Sequence, residues 1–317
     1  ARCNLRCRHC LAFAPRRTAE GSAHTLAPWL LDRLREDLRY VTYSCIGDPG
    51  EPLVAPVLFQ VLEALGAERP AAHAPVVHLV SNGMLLDAPM ALRLAQTGVR
   101  SVAVSLDGAS ARTNDALRVG SRFDRVVGNL RGVVSMRRER GLDLRLGVST
   151  VVTASNLAEL EALMELAADM GLDWVKLEEL VPVHGLEREL VETRALETAV
   201  GRALRRAEQL KVVAVDHTRC WDLWPCRITP EAAAFHRADE FANRSEIHPC
   251  RGPWELAYVG PDGAVRMGDP YSPALGNLAE ASLMQIWQGP LARSQREQAV
   301  RSRPCGQGPC SVRPRRG

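Results

Sequence analysis

The sequence predicts an α/β fold: a partial parallel (β/α)6 barrel, followed by a small C-terminal module of β-hairpin and helix that contains cysteines. Three observations predict it. Short, nearly continuous apolar runs alternate with longer stretches of helical periodicity over residues 41–215. Such runs read as parallel strands buried on both faces beneath helices. The runs stop at breaker segments, Gly47-Asp48-Pro49-Gly50, Ser81-Asn82-Gly83 and Asp107-Gly108, all at one edge of the expected sheet. From Cys220 onward the alternation ceases.

Taken in order, Thr25 can cap a helix whose apolar positions Trp29, Leu30, Leu31, Leu34 and Leu38 fall at helical spacing. A strand follows over 41–46, a helix over 53–67, a strand over 76–80, and a helix over 85–96 ended by Gly98. The strand 101–106 leads to a long amphipathic helix over 123–138 with Gly141 at its end. Strand 144–152, helix 157–170, strand 174–180, a charged helix over 186–210 and strand 212–215 complete the alternation. Right-handed crossovers curl such strands consistently, and sites in such folds lie at their carboxyl ends. The domain boundary is placed so that 1–217 form the barrel and 218–317 the second unit. There, 254–259 and 264–267 flank Pro261-Asp262-Gly263, a strong hairpin turn, before a helix over 282–296.

Composition narrows the function. With 317 residues, 46% hydrophobic and 24% charged, the chain has an ordinary globular profile. A net charge of +3 is too small to argue for nucleic acid, and the arginines near the C-terminus read as a solvated tail. No apolar run is long enough to cross a bilayer. Nine cysteines, an odd number, gathered mostly toward the two ends of a chain without a visible secretory signal, point to a reducing cytoplasmic setting and to metal ligation.

Cys3, Cys7 and Cys10 are spaced C-x3-C-x2-C, with no fourth cysteine nearby. Thiolates suit iron–sulfur clusters and zinc. A structural zinc closes its tetrahedron with four protein ligands, whereas three cysteines on a cluster leave one corner open for chemistry. A zinc knuckle completed by His9 and a disulfide arrangement are the competing readings; ligation by His9 beside Cys10 is sterically awkward.

The run Cys3-Asn4-Leu5-Arg6-Cys7-Arg8-His9-Cys10 resembles the signature of radical SAM enzymes. The resemblance implies three cysteines holding a 4Fe–4S cluster whose fourth iron is chelated by S-adenosylmethionine. Gly50-Glu51-Pro52 is similar to the part of the family's Gly-Gly-Glu-Pro motif that meets the SAM amino group, with Pro49 in place of the first glycine. Ser81-Asn82-Gly83 resembles a strand-ending Thr-Asn-Gly segment. Ser105-Leu106-Asp107-Gly108 with Asn114-Asp115 and Arg118 resembles the S-[LI]-D-G…H-D…R pattern of peptide-modifying members, Asn114 standing where the family has His. The resemblance implies cofactor contacts from His9, Gly50, Glu51, Asn82, Ser105, Arg118 and Val151, the last on a strand where the family lays adenine against backbone groups. It also implies a first strand before the cysteines, so the chain reads as one that has lost it. Each of these turns also has a plain structural reading.

Cys250-Arg251-Gly252-Pro253-Trp254, the Pro-Asp-Gly hairpin, Gly276-Asn277-Leu278, Ile286-Trp287 and Cys305-x4-Cys310 resemble the SPASM or twitch extension, which carries auxiliary clusters. Met267-Gly268-Asp269 stands where that module has a cysteine. With Cys220 this region has five cysteines, enough for at most one auxiliary four-iron cluster, on Cys226, Cys250, Cys305 and Cys310; a structural zinc, an Asp269 ligand or a metal-free module compete with it. Cys45 reads as a small buried hydrophobe. Lys176 and Glu178 share a face of their strand, either toward substrate or in a salt-bridged interior. The resemblance implies an electron donor such as flavodoxin or ferredoxin and hydrogen abstraction from a peptide or protein. The alternatives are the same chemistry on a small metabolite, or a non-catalytic metal-binding protein. The catalytic residue is not identified, and no nucleic-acid or membrane partner is expected.

Overall fold

A two-residue strand, β1 (Arg6–Cys7), lies apart from the main sheet of the computed structural model, which describes residues 2–10, 26–47, 50–66, 75–181, 185–218, 252–268 and 272–301. The sheet itself is formed by β2 (Tyr43–Ile46), β3 (Val76–Ser81), β4 (Val99–Ser105), β6 (Arg145–Val152), β7 (Trp174–Glu179) and β8 (Val213–His217). All neighbours are parallel and stand in that spatial order. Among the described residues β2 and β8 are its edges, so the barrel is partial. The remaining short strand, β5 (Arg118–Val119), pairs antiparallel with β1.

The helices are α1 (Pro28–Leu38), α2 (Leu58–Gly66), α3 (Ala88–Gln96), α4 (Ala111–Leu117), α5 (Phe123–Arg140), α6 (Leu160–Met170) and α7 (Thr193–Leu210). Local chemistry explains their ends. Asp87 accepts from Met90 N–H at the start of α3, and Ser110 from Thr113 N–H at the start of α4. Glu192 caps α7 through the N–H groups of Arg194 and Ala195. Gly141 adopts the left-handed conformation that ends α5, as its position predicts.

Several expected elements shift. The helix expected over 53–67 is a 3-10 turn, Pro52–Val54, followed by α2, and the one over 186–210 is likewise split, with α7 starting at Thr193. Proline and turn geometry interrupt what periodicity alone joins. The first helix begins at Pro28 after Ala27, without a side-chain cap; Thr25 lies outside the described residues. Trp29 is 51% exposed, while Leu30, Leu31, Leu34 and Leu38 form the buried stripe. Helix α4 had no strong apolar period and was not anticipated.

The strands are not uniformly buried on both faces, although Ala103 and Trp174 are buried on the second one. Val77, Leu79, Val102, Val104, Leu146, Val148, Val175 and Leu177 form one core with Leu62, Leu94, Val133, Leu163 and Ala203 of the helices. Residues of the opposite parity, Ser101, Ser105, Ser149, Lys176 and Glu178, are half-buried on the other face. Period-2 alternation therefore separates a helix-packed face from a site face. Cys45, in register with His78, is exposed on that second face of edge strand β2 rather than buried.

The C-terminal module begins with a short helix, α8 (Gly252–Glu255), so Trp254 precedes rather than starts the strand. Then β9 (Ala257–Val259), β10 (Ala264–Met267) and β11 (Ala274–Asn277) form an antiparallel sheet in the order β11-β10-β9. The single helix expected next is two, α9 (Leu283–Trp287) and α10 (Pro290–Arg301). Asp37 of α1 accepts from Met284 N–H at 3.2 Å, which docks the module on the main sheet's first helix.

Gly147 lies under the indole of Trp174; a Cβ there would sit 2.1 Å from the ring. Gly147→Ala is expected to destabilise by about 1–3 kcal/mol through overpacking. Gly132→Ala on α5, where nothing lies within 4 Å of the added carbon, is expected to stabilise by about 0.5–1 kcal/mol. Urea denaturation followed by circular dichroism measures both.

Candidate active site

The cysteine loop is fastened to the carboxyl edge of the sheet at several points. Cys7 pairs with Arg118 and Arg6 with Val119 in the β1–β5 ladder. Arg8 N–H donates to Leu117 C=O at 2.9 Å, and Glu51 N–H donates to Arg2 C=O at 2.8 Å. Leu5 is buried in the core between the first two cysteines. The loop is thus held by backbone pairing on one side and an apolar anchor on the other.

Cys3, Cys7 and Cys10 are free thiols of intermediate exposure. Leu5 N–H lies 3.4 Å and Asn82 Nδ2 3.9 Å from Cys3 Sγ, and Arg118 Nη1 lies 3.7 Å from Cys7 Sγ. Burial pushes the Cys7 thiol up to about 11, with Arg118 opposing it, and burial likewise raises Cys3. Among the described residues no three His, Cys, Asp or Glu side chains gather closely enough for a single metal ion. A cluster spreads its cysteines over separate irons, and N–H donors directed at sulfur are the usual outer shell of such a centre.

Glu51 is buried beyond the end of β2. Its Oε1 accepts from Ser81 Oγ at 2.8 Å and from Leu53 N–H at 3.1 Å; its Oε2 accepts from Asn82 N–H at 2.7 Å. Burial raises its pKa against these hydrogen bonds. Gly50 precedes it at φ 137°, a conformation that side chains disfavour. Asn82 Nδ2 reaches Asn4 Oδ1 at 2.7 Å, so the end of β3 is stitched both to Glu51 and to the cysteine loop.

Asp107 is the second junction, fully buried after β4. Its Oδ2 lies 2.6 Å from Arg118 Nε and 3.0 Å from His9 Nε2, close contacts that are imperfectly aligned for hydrogen bonding. Its Oδ1 accepts from Val151 N–H at 2.8 Å. Burial alone would raise this carboxyl, but Arg118 and then His9 outweigh it and hold it at about 2. Asn114 Oδ1 accepts from Asp107 N–H, and Asn156 Nδ2 donates to the carbonyls of Asp107 and Val151.

The structure therefore brings His9, Gly50, Glu51, Asn82, Ser105, Arg118 and Val151 to one edge with the three cysteines. Ser105 presents a half-buried hydroxyl on the site face. Both backbone groups of Val151 are engaged, its N–H by Asp107 Oδ1 and its carbonyl by Asn156 Nδ2. Arg118 turns its fork toward Asp107 and Cys7. Cys226, Cys250, Cys305, Cys310, Cys220 and Asp269 lie outside the described residues. Asp107, Asn114 and Asn156 were not singled out as contacts; the available signal was a lone acid in the strand-ending Ser-Leu-Asp-Gly turn. His9 Nδ1 is buried and takes no hydrogen bond among the described residues. A buried nitrogen left so at a thiol-lined edge fits a bound ligand there.

A family model described as the radical SAM superfamily matches residues 1–167. The chain belongs to the radical SAM superfamily. A second family model, SPASM, described as an iron-sulfur cluster-binding domain, matches residues 250–311. The cofactors of this radical SAM chain are a 4Fe–4S cluster and S-adenosylmethionine, with an additional iron–sulfur site in the SPASM region. The mycofactocin maturase MftC of Mycobacterium tuberculosis (strain CDC 1551 / Oshkosh) is 31% identical, over 53% of this chain and 40% of that protein. The pre-heme d1 synthase of Dinoroseobacter shibae is 32% identical, over 65% of this chain and 50% of the relative. The chain thus spans half or less of the length of these curated relatives. The crystal structure of Streptococcus suis SuiB bound to precursor peptide SuiA shares the fold, with a TM-score of 0.66 at 14% identity over 98% of this chain and 73% of that one.

The depressed Asp107 carboxyl has a pH signature. Its folded pKa lies below the ordinary 3.8, so its stabilising contribution is complete above that value and is lost as pH falls through about 2. The urea midpoint of the wild type is expected to fall more steeply over that acid range than that of Asp107→Asn. At neutral pH, Asp107→Asn leaves Arg118 buried without its counter-ion and is expected to cost about 3–5 kcal/mol.

Proposed function

We propose that this chain is a radical SAM oxidoreductase or maturase of the SPASM type that acts on a peptide or protein substrate. The observation that carries the proposal is the convergence of Cys3, Cys7 and Cys10 with the Glu51 and Asp107 junctions on one strand edge. When bound and reduced, the cluster and S-adenosylmethionine supply a 5′-deoxyadenosyl radical that removes a hydrogen atom from substrate. The chain's own residues bind and orient. Cys3, Cys7 and Cys10 hold the cluster. Glu51, one of whose oxygens has a single hydrogen bond, offers a carboxylate to the SAM ammonium beside Gly50 and Asn82. Ser105, Arg118, His9 and Val151 line the nucleoside and carboxylate end. The Asp107 network keeps Arg118 and His9 in place.

Residues 1–217 form the catalytic unit and 218–317 the auxiliary one, with one further iron–sulfur cluster (or a zinc) on Cys226, Cys250, Cys305 and Cys310. An electron donor such as flavodoxin or ferredoxin reduces the SAM cluster in a cytoplasmic setting. Among the described residues no helix is long and apolar enough to cross a membrane. A peptide substrate is supported by a relative named a mycofactocin maturase and by the SuiB structure with its precursor peptide. A small-metabolite substrate is the second reading, favoured by the wider match to a pre-heme d1 synthase.

Anaerobic reconstitution with iron and sulfide, followed by dithionite and S-adenosylmethionine, is expected to yield 5′-deoxyadenosine. Cys7→Ala is expected to lower that yield by about two orders of magnitude or more and to remove the SAM-dependent change in the cluster's EPR signal. Equal yield from wild type and Cys7→Ala rules the proposal out.

A further inference from the structure

Helix α5 is charged the wrong way round at its start. Its N-cap residue is Arg122, which makes no side-chain cap, and Arg125 stands in its first turn. Exposed N–H groups make that end of a helix partly positive, so carboxylates are favoured there and cations are not. Asp124 is the acidic residue of the first turn, and the Phe123 N–H is taken by Asp115 of α4. Farther along the same helix the arginines are used differently: Arg131 pairs with Asp169 and Arg137 with Asp173. Arg122 and Arg125 are exposed, and neither forms an ion pair with a described residue.

The unpaired charge continues onto the neighbouring elements. Arg112 is exposed on α4, and Arg6 is exposed on β1, in register with Val119 of β5. Neither forms an ion pair with a described residue. Val119 itself is 43% exposed. Four guanidinium groups thus gather on β1, the α4–β5 segment and the start of α5 beside an exposed valine. The carboxylates on the same elements are Asp115 and Asp124, which leaves positive charge in excess.

What lies behind this surface gives it meaning. Strands β1 and β5 form a two-rung antiparallel ribbon, and successive residues of a strand point to opposite faces. Cys7 and Arg118 are one rung, and their side chains meet on the inner face, with Arg118 Nη1 3.7 Å from Cys7 Sγ. Arg6 and Val119 are the other rung and face outward. One layer of backbone therefore separates the outer surface from a sulfur of the cysteine loop.

Four cations interrupted by Asp124 and an apolar side chain make a poor track for a phosphate backbone. An apolar spot with arginines around it is the composition of a protein interface. Excess positive charge selects an anionic partner and speeds its encounter. A protein seated on the back of Cys7 is placed to exchange electrons with whatever that sulfur holds.

We propose that the outward face of the β1–β5 ribbon, with Arg6, Arg112, Val119, Arg122 and Arg125, is the docking surface for an acidic one-electron donor protein. The inference rests on the proposed function for a reducible cluster on Cys3, Cys7 and Cys10. In the step it serves, one electron leaves the reduced donor and enters the oxidised cluster; no covalent bond forms or breaks, and the donor is left oxidised by one electron.

The probe is a recombinant bacterial flavodoxin of net negative charge, oxidised for binding and as the hydroquinone for electron transfer, with the cluster-loaded chain under anaerobic conditions. Biolayer interferometry is expected to show binding to the wild type at about 50 mM salt that weakens about tenfold or more at about 300 mM. Arg122→Glu/Arg125→Glu is expected to weaken low-salt binding about tenfold or more, and to slow flavodoxin-driven bleaching of the cluster by a similar factor. The same variant is expected to melt no lower than the wild type, because the new carboxylates suit the helix start. Arg138→Glu/Arg140→Glu makes the same change of charge near the far end of this 18-residue helix, which is about 27 Å long, and is expected to keep binding within about twofold. Circular dichroism checks folding; should the first variant not fold, Val119→Glu is expected to give the same loss of binding. No binding by the wild type, undiminished binding by the folded Arg122→Glu/Arg125→Glu or Val119→Glu variant, or an equal loss in Arg138→Glu/Arg140→Glu overturns the assignment. Uptake of the wild type by phosphatidylglycerol vesicles without flavodoxin binding overturns it as well. Dithionite-driven 5′-deoxyadenosine formation is measured on the same samples and is expected to be equal in wild type and Arg122→Glu/Arg125→Glu. Its formation alongside undiminished flavodoxin binding by that variant discards the docking surface alone, whereas its absence from the wild type strikes the proposed function and not the binding result.

Discussion

Asp107 sits where burial would ordinarily neutralise a carboxylate, and the guanidinium of Arg118 keeps it charged. That balance sets the geometry around it. With Arg118 drawn to Asp107 Oδ2, the same guanidinium comes to rest against the Cys7 sulfur, and β5 is placed to pair with β1. With His9 drawn to the same oxygen, the last turn of the cysteine loop closes over the end of β4. Oδ1 meanwhile takes the N–H of Val151 and ties β4 to β6. One buried anion therefore couples a loop near the start of the chain to β4, β5 and β6, all far later in the sequence. A buried charge of this kind contributes position more than net stability.

Glu51 performs the parallel task on the other side of the cysteine loop. It accepts from the end of β3 and from its own turn, while its backbone N–H holds Arg2. The two carboxylates differ in electrostatic state because their neighbours differ. Asp107 has cations beside it and is held strongly acidic. Glu51 has mainly neutral donors and a distant Arg118, so desolvation prevails and its pKa rises. An ammonium group arriving beside Glu51 would supply the missing positive charge, and this is the physical sense of placing a carboxylate there.

Much of the fold was legible because parallel strands and their helices are written in local periodicity. The six sheet strands were recognisable from apolar runs such as 76–80 and 144–152, and the helix ending at Gly141 from its amphipathic pattern and terminal glycine. Legibility failed where local signals are weak or ambiguous. Helix α4 is short and polar. Pro52 interrupts a segment whose apolar spacing is otherwise helical. Cys45 reads as a core residue from its strand, but its parity and an edge position expose it. For the site, the Cys-x3-Cys-x2-Cys spacing and the Gly50-Glu51-Pro52 turn were visible as motifs. The centrality of Asp107 was not, since nothing local distinguishes a buried hub from any acid in a turn.

The sequence by itself determined the α/β alternation, the order of the breaker turns and the family to which their motifs point, because these depend on neighbours within a few residues. Only the tertiary structure decided that Glu51 binds the end of β3, that Arg118 lies between Asp107 and Cys7, and that Lys176 and Glu178 face the site together with Ser149. Those are contacts across tens to more than a hundred residues, and they arise from strand register and burial.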